Sequence, residues 1–434
     1  MNQIRRILSG LVMAALVATV TGCGIRGLRV PQSPLLKIFV ARSGHIAFVG
    51  TDGNLYLADQ SGSTTKLTND AQSSNGSHVT YVSPVWSPDG RQLAYARYLT
   101  DPASGNSTAS LQVLDLKTHR DVNTFTSEQL QPFYFDWAPD GRRIAVLSDH
   151  SGTLELGVVR AERPGSYHEI DSGSPYYWAW TADGNKIVSH TDFTAKTGGR
   201  VSIIPVDDPQ KKVDLRGDFE LFQAPAVLPN GDIVTVESSG TSSRLAAVSP
   251  SGTGSELFAP NGEEGFLFSV SPNGKLLAYL DSQSIDGTMR SVLHVWDLVA
   301  HKELQALDKL SVLAFYWAPD SSKIAFFIPA AGEKVDGSYA QIPSLPHVSL
   351  EVLDVRSGKF WNLAAFPLTQ GLLSTLPYTD QYQHSQTIWS PNSSYLVYTA
   401  YTPRGLPGVF VAEADGNIKP TKIADGDFAV WSWK

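Results

Sequence analysis

The chain has 434 residues, of which 42% are apolar and 18% charged, with a formal net charge of −8 and one cysteine. An acidic chain with no basic cluster after its first residues is a poor nucleic-acid binder, because phosphate binding rests on grouped Lys and Arg. A single cysteine excludes an intramolecular disulfide and a thiolate metal cluster, so packing alone must hold the fold. Its 36 glycines and 26 prolines suit a protein with many tight turns.

At the N-terminus Arg5 and Arg6 precede an apolar stretch, 7–20, too short for an ordinary membrane span. Val20-Thr21-Gly22-Cys23 follows and resembles the lipobox of bacterial lipoproteins. The resemblance implies cleavage before Cys23, lipidation of its thiol and acylation of the new N-terminus. The expected organisation is a signal peptide over 1–22, a lipidated tether over 23–40 and a folded domain over 41–434. The tether carries Gly24, Gly27, Pro31 and Pro34, and no later apolar run approaches membrane length. The expected location is exported and lipid-anchored, at the bacterial cell membrane or the outer membrane.

From residue 41 onward the chain repeats itself. VWSPDGRQLAYAR (85–97) returns as DWAPDGRRIAVLS (136–148), AWTADGNKIVSHT (179–191), VLPNGDIVTV (227–236), SVSPNGKLLAYL (269–280), YWAPDSSKIAFF (316–327) and IWSPNSSYLVYT (388–399). Each unit reads as a strand ending at Trp, a tight Asp-Gly or Asn-Gly turn, an apolar second strand, a third such as LQVLDL (111–116), and a short fourth. Four antiparallel strands every 40–50 residues, roughly, is the signature of a propeller blade. The motif P-x-WSPDG-x-x-L-A-Y resembles the TolB-like, WD-like propeller repeats, which also occur in the non-catalytic domains of prolyl oligopeptidases. The separate N-terminal α/β domain of TolB is not expected here.

The chain ends on FAVWSW (428–433), a first strand with no blade behind it, and begins on a turn and second strand at 43–49. Pairing them closes the ring and leaves no open edge. The expected fold is an all-β propeller of about eight four-stranded blades, closed by its N- and C-terminal segments. A rival reading makes 36–41 the inner strand beside 45–49.

Chemistry is scarce. The histidines are scattered, no G-x-S-x-G elbow or H-E-x-x-H pair occurs, and no segment shows clear helical periodicity. No catalytic residue, cofactor or metal site is assigned. Strand direction puts the first-to-second and third-to-fourth turns on one face of the ring. The long connections lie on the other, among them 364–386 with Phe366, Leu372, Leu373, Tyr378, Tyr382 and His384. Long loops on a rigid ring usually carry binding residues. The candidate binding face is therefore Glu263, Glu264, Tyr378, Asp380, Tyr382, His384, Asp425 and Asp427. An acidic mouth there favours an envelope protein or a polar or cationic ligand. The tight-turn face, with Arg142, Arg143, Lys211 and Lys212, is expected to face the membrane, and Asp171 to lie on the long-loop side. The functional expectation is a lipid-anchored, non-enzymatic binding or scaffolding module of the cell envelope. The alternatives are a polysaccharide-active or other envelope enzyme with its site at the channel mouth, and a purely structural envelope component.

Overall fold

The tight turns set the architecture. In each repeat Gly or its substitute takes the left-handed conformation that reverses the first strand into the second: Gly90 has φ 71°, Gly141 68° and Gly274 69°. Two repeats carry serine there, and Ser321 and Ser393 are held at φ 62° and 55°. A side chain in that region costs energy. Each serine offsets part of it by reaching the turn of the preceding repeat. Ser321 Oγ accepts the Asn273 N–H at 3.1 Å, and Ser393 Oγ accepts the Asp320 N–H at 3.1 Å.

The structure is a computed structural model that describes residues 44–71, 78–194, 198–217, 219, 221–239, 242–258, 264–330 and 346–434. Cys23, the signal segment, the tether, the rival strand at 36–41 and Glu263 lie outside the described residues. Six sheets of four antiparallel strands follow one another over 78–127, 131–173, 176–214, 226–258, 264–306 and 314–367. A seventh, six-stranded sheet joins the two ends of the propeller. Its closure is the expected one: Ile46 pairs with Trp431, Ala47 with Val430, Phe48 with Ala429 and Val49 with Phe428.

Among the described residues the sheets number seven, not about eight, and one strand accounts for the difference. Thr421–Trp431 runs for 11 residues. Its first half pairs with Pro407–Glu413 and its second with Ile46–Gly50, so two repeats share one continuous sheet.

Sheets pack face to face around the ring, and the core is a series of interfaces between neighbours. Ala94, Leu111 and Val113 of one sheet meet Phe135, Trp137, Ile144 and Val146 of the next, all buried. The repeat tryptophans add a directional bond to this packing. Trp137 Nε1 donates to Val85 O at 3.2 Å, Trp317 Nε1 to Ser269 O at 3.2 Å and Trp389 Nε1 to Tyr316 O at 3.0 Å. Trp86 and Trp180 reach Val430 O and Asp136 O at 3.4 Å. In every case the acceptor is the residue just before the Trp position one repeat earlier. These tryptophans are core residues that also stitch blade to blade. Val227 and Val270 stand at the same position and cannot donate.

Among the described residues two short α-helices depart from the all-strand reading: α1, Gln370–Thr375, and α2, Thr379–Tyr382, joined by a 3-10 turn at Leu376–Tyr378. Six and four residues are too few to show a period in sequence. Thr369 caps α1 by accepting the Leu372 N–H.

Candidate binding site: a funnel floored by an internal plug

The connection at 368–386 does not stand away from the ring. It turns inward and fills the channel. Gln381 Oε1 accepts the Trp178 N–H at 2.8 Å, and Gln381 Nε2 donates to Trp178 O at 3.0 Å and to the Tyr134 hydroxyl at 3.0 Å. The Tyr134 hydroxyl in turn donates to Gln381 O at 2.8 Å. Asp380 Oδ2 accepts the Ala224 N–H at 2.9 Å. Helix α2 also packs on the strands Glu264–Val270 and Ala314–Trp317. On the remaining side Gly371 N–H donates to Asp427 Oδ2 at 3.1 Å, and the Thr369 hydroxyl to Asp427 O at 2.8 Å.

The plug enters from the long-loop side, through a fourth-to-first connection. On the tight-turn side the channel stays open as a funnel of about 810 Å³, within the usual range for ligand sites. Its wall is made by the ends of the first strands and their turns, with Trp137, Trp180 and Trp317 below a rim of Pro139, Pro229, Pro272 and Trp433. Gln383, His384, Gln386 and Thr387 of the plug form the floor. Among the described residues buried Gln383 Nε2 has no hydrogen-bond partner. His384 Nδ1 lies 3.3 Å from Trp178 O. Burial lowers the His384 pKa to about 4, against the raising effect of that carbonyl, so the ring is neutral near pH 7. Among the described residues Asp136 is the one acidic residue of the lining.

The candidate residues read from sequence fall in three places. Tyr378, Asp380, Tyr382 and His384 are together in the plug. Tyr378 is 48% exposed, whereas the Tyr382 ring packs 4.8 Å from that of Tyr134 and Asp380 is buried. Burial raises the Asp380 pKa to about 6, against the bond from Ala224. Asp425 and Asp427 belong to the closing strand, where Asp425 pairs with Lys422 at 2.5 Å and Asp427 holds the plug. Glu264 begins the strand Glu264–Val270. The charge segregation expected of the two faces fails for one pair: Lys212 Nζ and Asp171 Oδ1 are 2.7 Å apart. They meet between the outer strands of neighbouring sheets, where the two faces share a border. Asp136, Gln381, Gln383 and Trp433 escaped the sequence reading. Only Asp136 carried a signal, as a carboxylate in an otherwise uncharged repeat position.

Among the described residues no group of three or more His, Cys, Asp or Glu converges as metal ligands, and no helix is long and apolar enough to cross a membrane.

Consecutive antiparallel sheets around a channel, closed by pairing the first strand with the last, define a β-propeller. The chain belongs to the TolB beta propeller domain family, PD40, whose profile matches residues 38–309. No curated protein matches it in sequence. Among solved structures it is similar to a eukaryotic initiation factor, at 12% identity over 90% of this chain and 98% of that one, with a TM-score of 0.53. It is also similar to prolyl endopeptidases, at 13% identity over 87% of this chain and 54% of that one, with a TM-score of 0.54. A third is the oligogalacturonate lyase of Vibrio parahaemolyticus, at 14% identity over 86% and 98%, with a TM-score of 0.51. Such identities establish a shared fold and nothing finer.

Proposed function

We propose that this chain is a non-enzymatic capture module, held at the cell envelope by lipid on Cys23, that takes its ligand in the funnel on the tight-turn face. The observation that carries the reading is the plug. It fills the channel from the long-loop side and leaves a concave, largely apolar cavity on the tight-turn side with a few polar groups at its floor, the usual character of a ligand site. The anchor fits the same face. Gly44 lies beside Ser432 and Pro391, so the 23–40 tether, with the three residues after it, would leave next to the funnel. Fully extended it would span at most about 70 Å, enough to present the funnel to ligands near the membrane. In repeat terms we read the six-stranded sheet as two blades sharing one strand, which restores a count of eight.

Two measurements test this. Mass spectrometry of the mature protein should find an acylated peptide beginning at Cys23; an intact Met1 terminus removes the anchor. Crystals soaked with a fragment library should show fragments gathered in the funnel; fragments gathered elsewhere remove the site.

A second reading keeps the long-loop face as a protein-docking surface, favoured by the half-exposed Tyr378. Neutralising Glu263, Glu264 and Asp425 would then weaken capture of an envelope partner, whereas the funnel reading expects no change. Asp427 is a poor probe, since its carboxylate also holds the plug.

A further inference from the structure

Asp136 breaks a rule that the rest of the ring keeps. The residue just before the Trp position is Val85, Ala179, Ala226, Ser269, Tyr316, Ile388 or Val430 in the other repeats, never a charged one. Asp136 is only 6% exposed, and it enters no ion pair among the described residues. The Arg143 guanidinium is engaged elsewhere, by Asp140 and Asp207. Burial drives the Asp136 pKa well above the carboxylate range, against a single bond from the Trp137 N–H. This is the condition of a buried acid with no cation beside it, and such a group is costly to keep in a core.

The other lining groups fit the same partner. His384 donates its Nδ1–H to the Trp178 carbonyl, so Nε2 carries the lone pair and acts as an acceptor. The ring brings no competing positive charge near neutral pH. Trp137 and Trp180 flank Asp136 in the wall, and Trp433 stands partly exposed at the rim. Indole faces attract cations and not anions. The prolines of the rim suit an apolar stem.

We propose that the funnel is a receptor for an organic cation: a primary ammonium or guanidinium on a slender apolar stem, anchored by Asp136, whose carboxyl releases its proton to solvent as the cation binds, with His384 Nε2 as a second acceptor. The inference rests on the funnel being the binding site. Its chemistry is shared by free amines and by a Lys or Arg side chain of a peptide.

The test titrates the intact mature protein with agmatine, cadaverine, acetyl-Gly-Lys-Gly-amide, 1-pentanol and glutarate, followed by calorimetry and tryptophan fluorescence. Asp136→Asn and Asp136→Val are the variants, the second taking the residue that another repeat carries there, and thermal melts confirm that each is folded. At least one cationic probe should bind saturably, and both variants should weaken it about tenfold or more, the scale of one charge-assisted contact. Glutarate should not bind. Tighter binding of the free amines points to a metabolite, and tighter binding of the tripeptide to a protein side chain. Cations that bind the variants as well as the wild type overturn the inference. If only pentanol or glutarate binds, and Trp433→Ala abolishes it, the cation is wrong but the funnel stands. If no probe binds, the inference falls, and the fragment soaks alone judge the funnel.

Discussion

The Gln381 side chain clasps the Trp178 main chain at both of its polar groups: it accepts the Trp178 N–H at 2.8 Å and donates to the Trp178 carbonyl at 3.0 Å. The two residues are 203 positions apart. The amide imitates a strand edge, satisfying a first strand on the channel side where no neighbouring strand exists. The plug is thereby made part of the ring.

Gln381→Ala should cost about 3 kcal/mol, because it strands both Trp178 groups and a Tyr134 hydroxyl contact in a dry interior. Gln381→Glu should recover little, since a carboxylate cannot donate to Trp178 O. Urea denaturation measures the loss, and hydrogen exchange at the Trp178 amide should speed up in both variants. A loss below about 1 kcal/mol for Gln381→Ala would mean that the plug is held by its apolar contacts alone.

Asp380 makes the plug sensitive to pH. Its folded pKa, raised by burial to about 6, lies above the unfolded value of 3.8. The folded state therefore holds the proton more tightly, and stability falls as pH rises from about 4 to about 6. Asp380→Asn can still accept from Ala224 and should remove this slope. At pH 8 the variant should be more stable than the wild type by about 3 kcal/mol. Equal slopes in the two proteins would contradict the assignment.

His294 acts in the opposite sense. It lies between Asp281, at 3.0 Å from Nε2, and Glu303, at 2.6 Å from Nδ1, with the Tyr279 ring stacked at 4.7 Å. Burial lowers its pKa, but the two carboxylates outweigh burial and the net shift is upward. The stabilisation is complete below the unfolded histidine pKa of about 6.5 and is lost as pH climbs through the folded value. His294→Gln should destabilise by about 3 kcal/mol at pH 6, leaving Asp281 buried without its cation. The gap to the wild type should narrow by pH 9. A gap that stays constant with pH would show a neutral histidine at both ends of the range.

The strand order could be read from sequence because each repeat encodes its own turn. Asp89-Gly90 and its counterparts fix where strands reverse, and the incomplete units at 43–49 and 428–433 fix how the ring closes. The sheet count slipped because the continuity of Thr421–Trp431 across two repeats depends on strand pairing and not on composition. The plug was invisible for a related reason. Thr369, Asp380 and Gln381 look like ordinary loop polars until ring closure brings Asp427, Ala224 and Trp178 beside them. Helices of six and four residues leave no periodic trace. Asp136 was legible in principle, by comparing one column of the repeats, but its meaning needs the funnel.

On the proposed reading, ligand is taken on the tight-turn face and not on the long-loop face. A crosslinking test places the photoreactive residue p-benzoylphenylalanine at Pro139, on the funnel rim, or at Tyr378, on the exposed side of the plug, in cells making the full chain. A discrete adduct is expected from position 139, lost when Asp136→Asn is added, and none from position 378. A discrete adduct from position 378 with none from position 139 would contradict it.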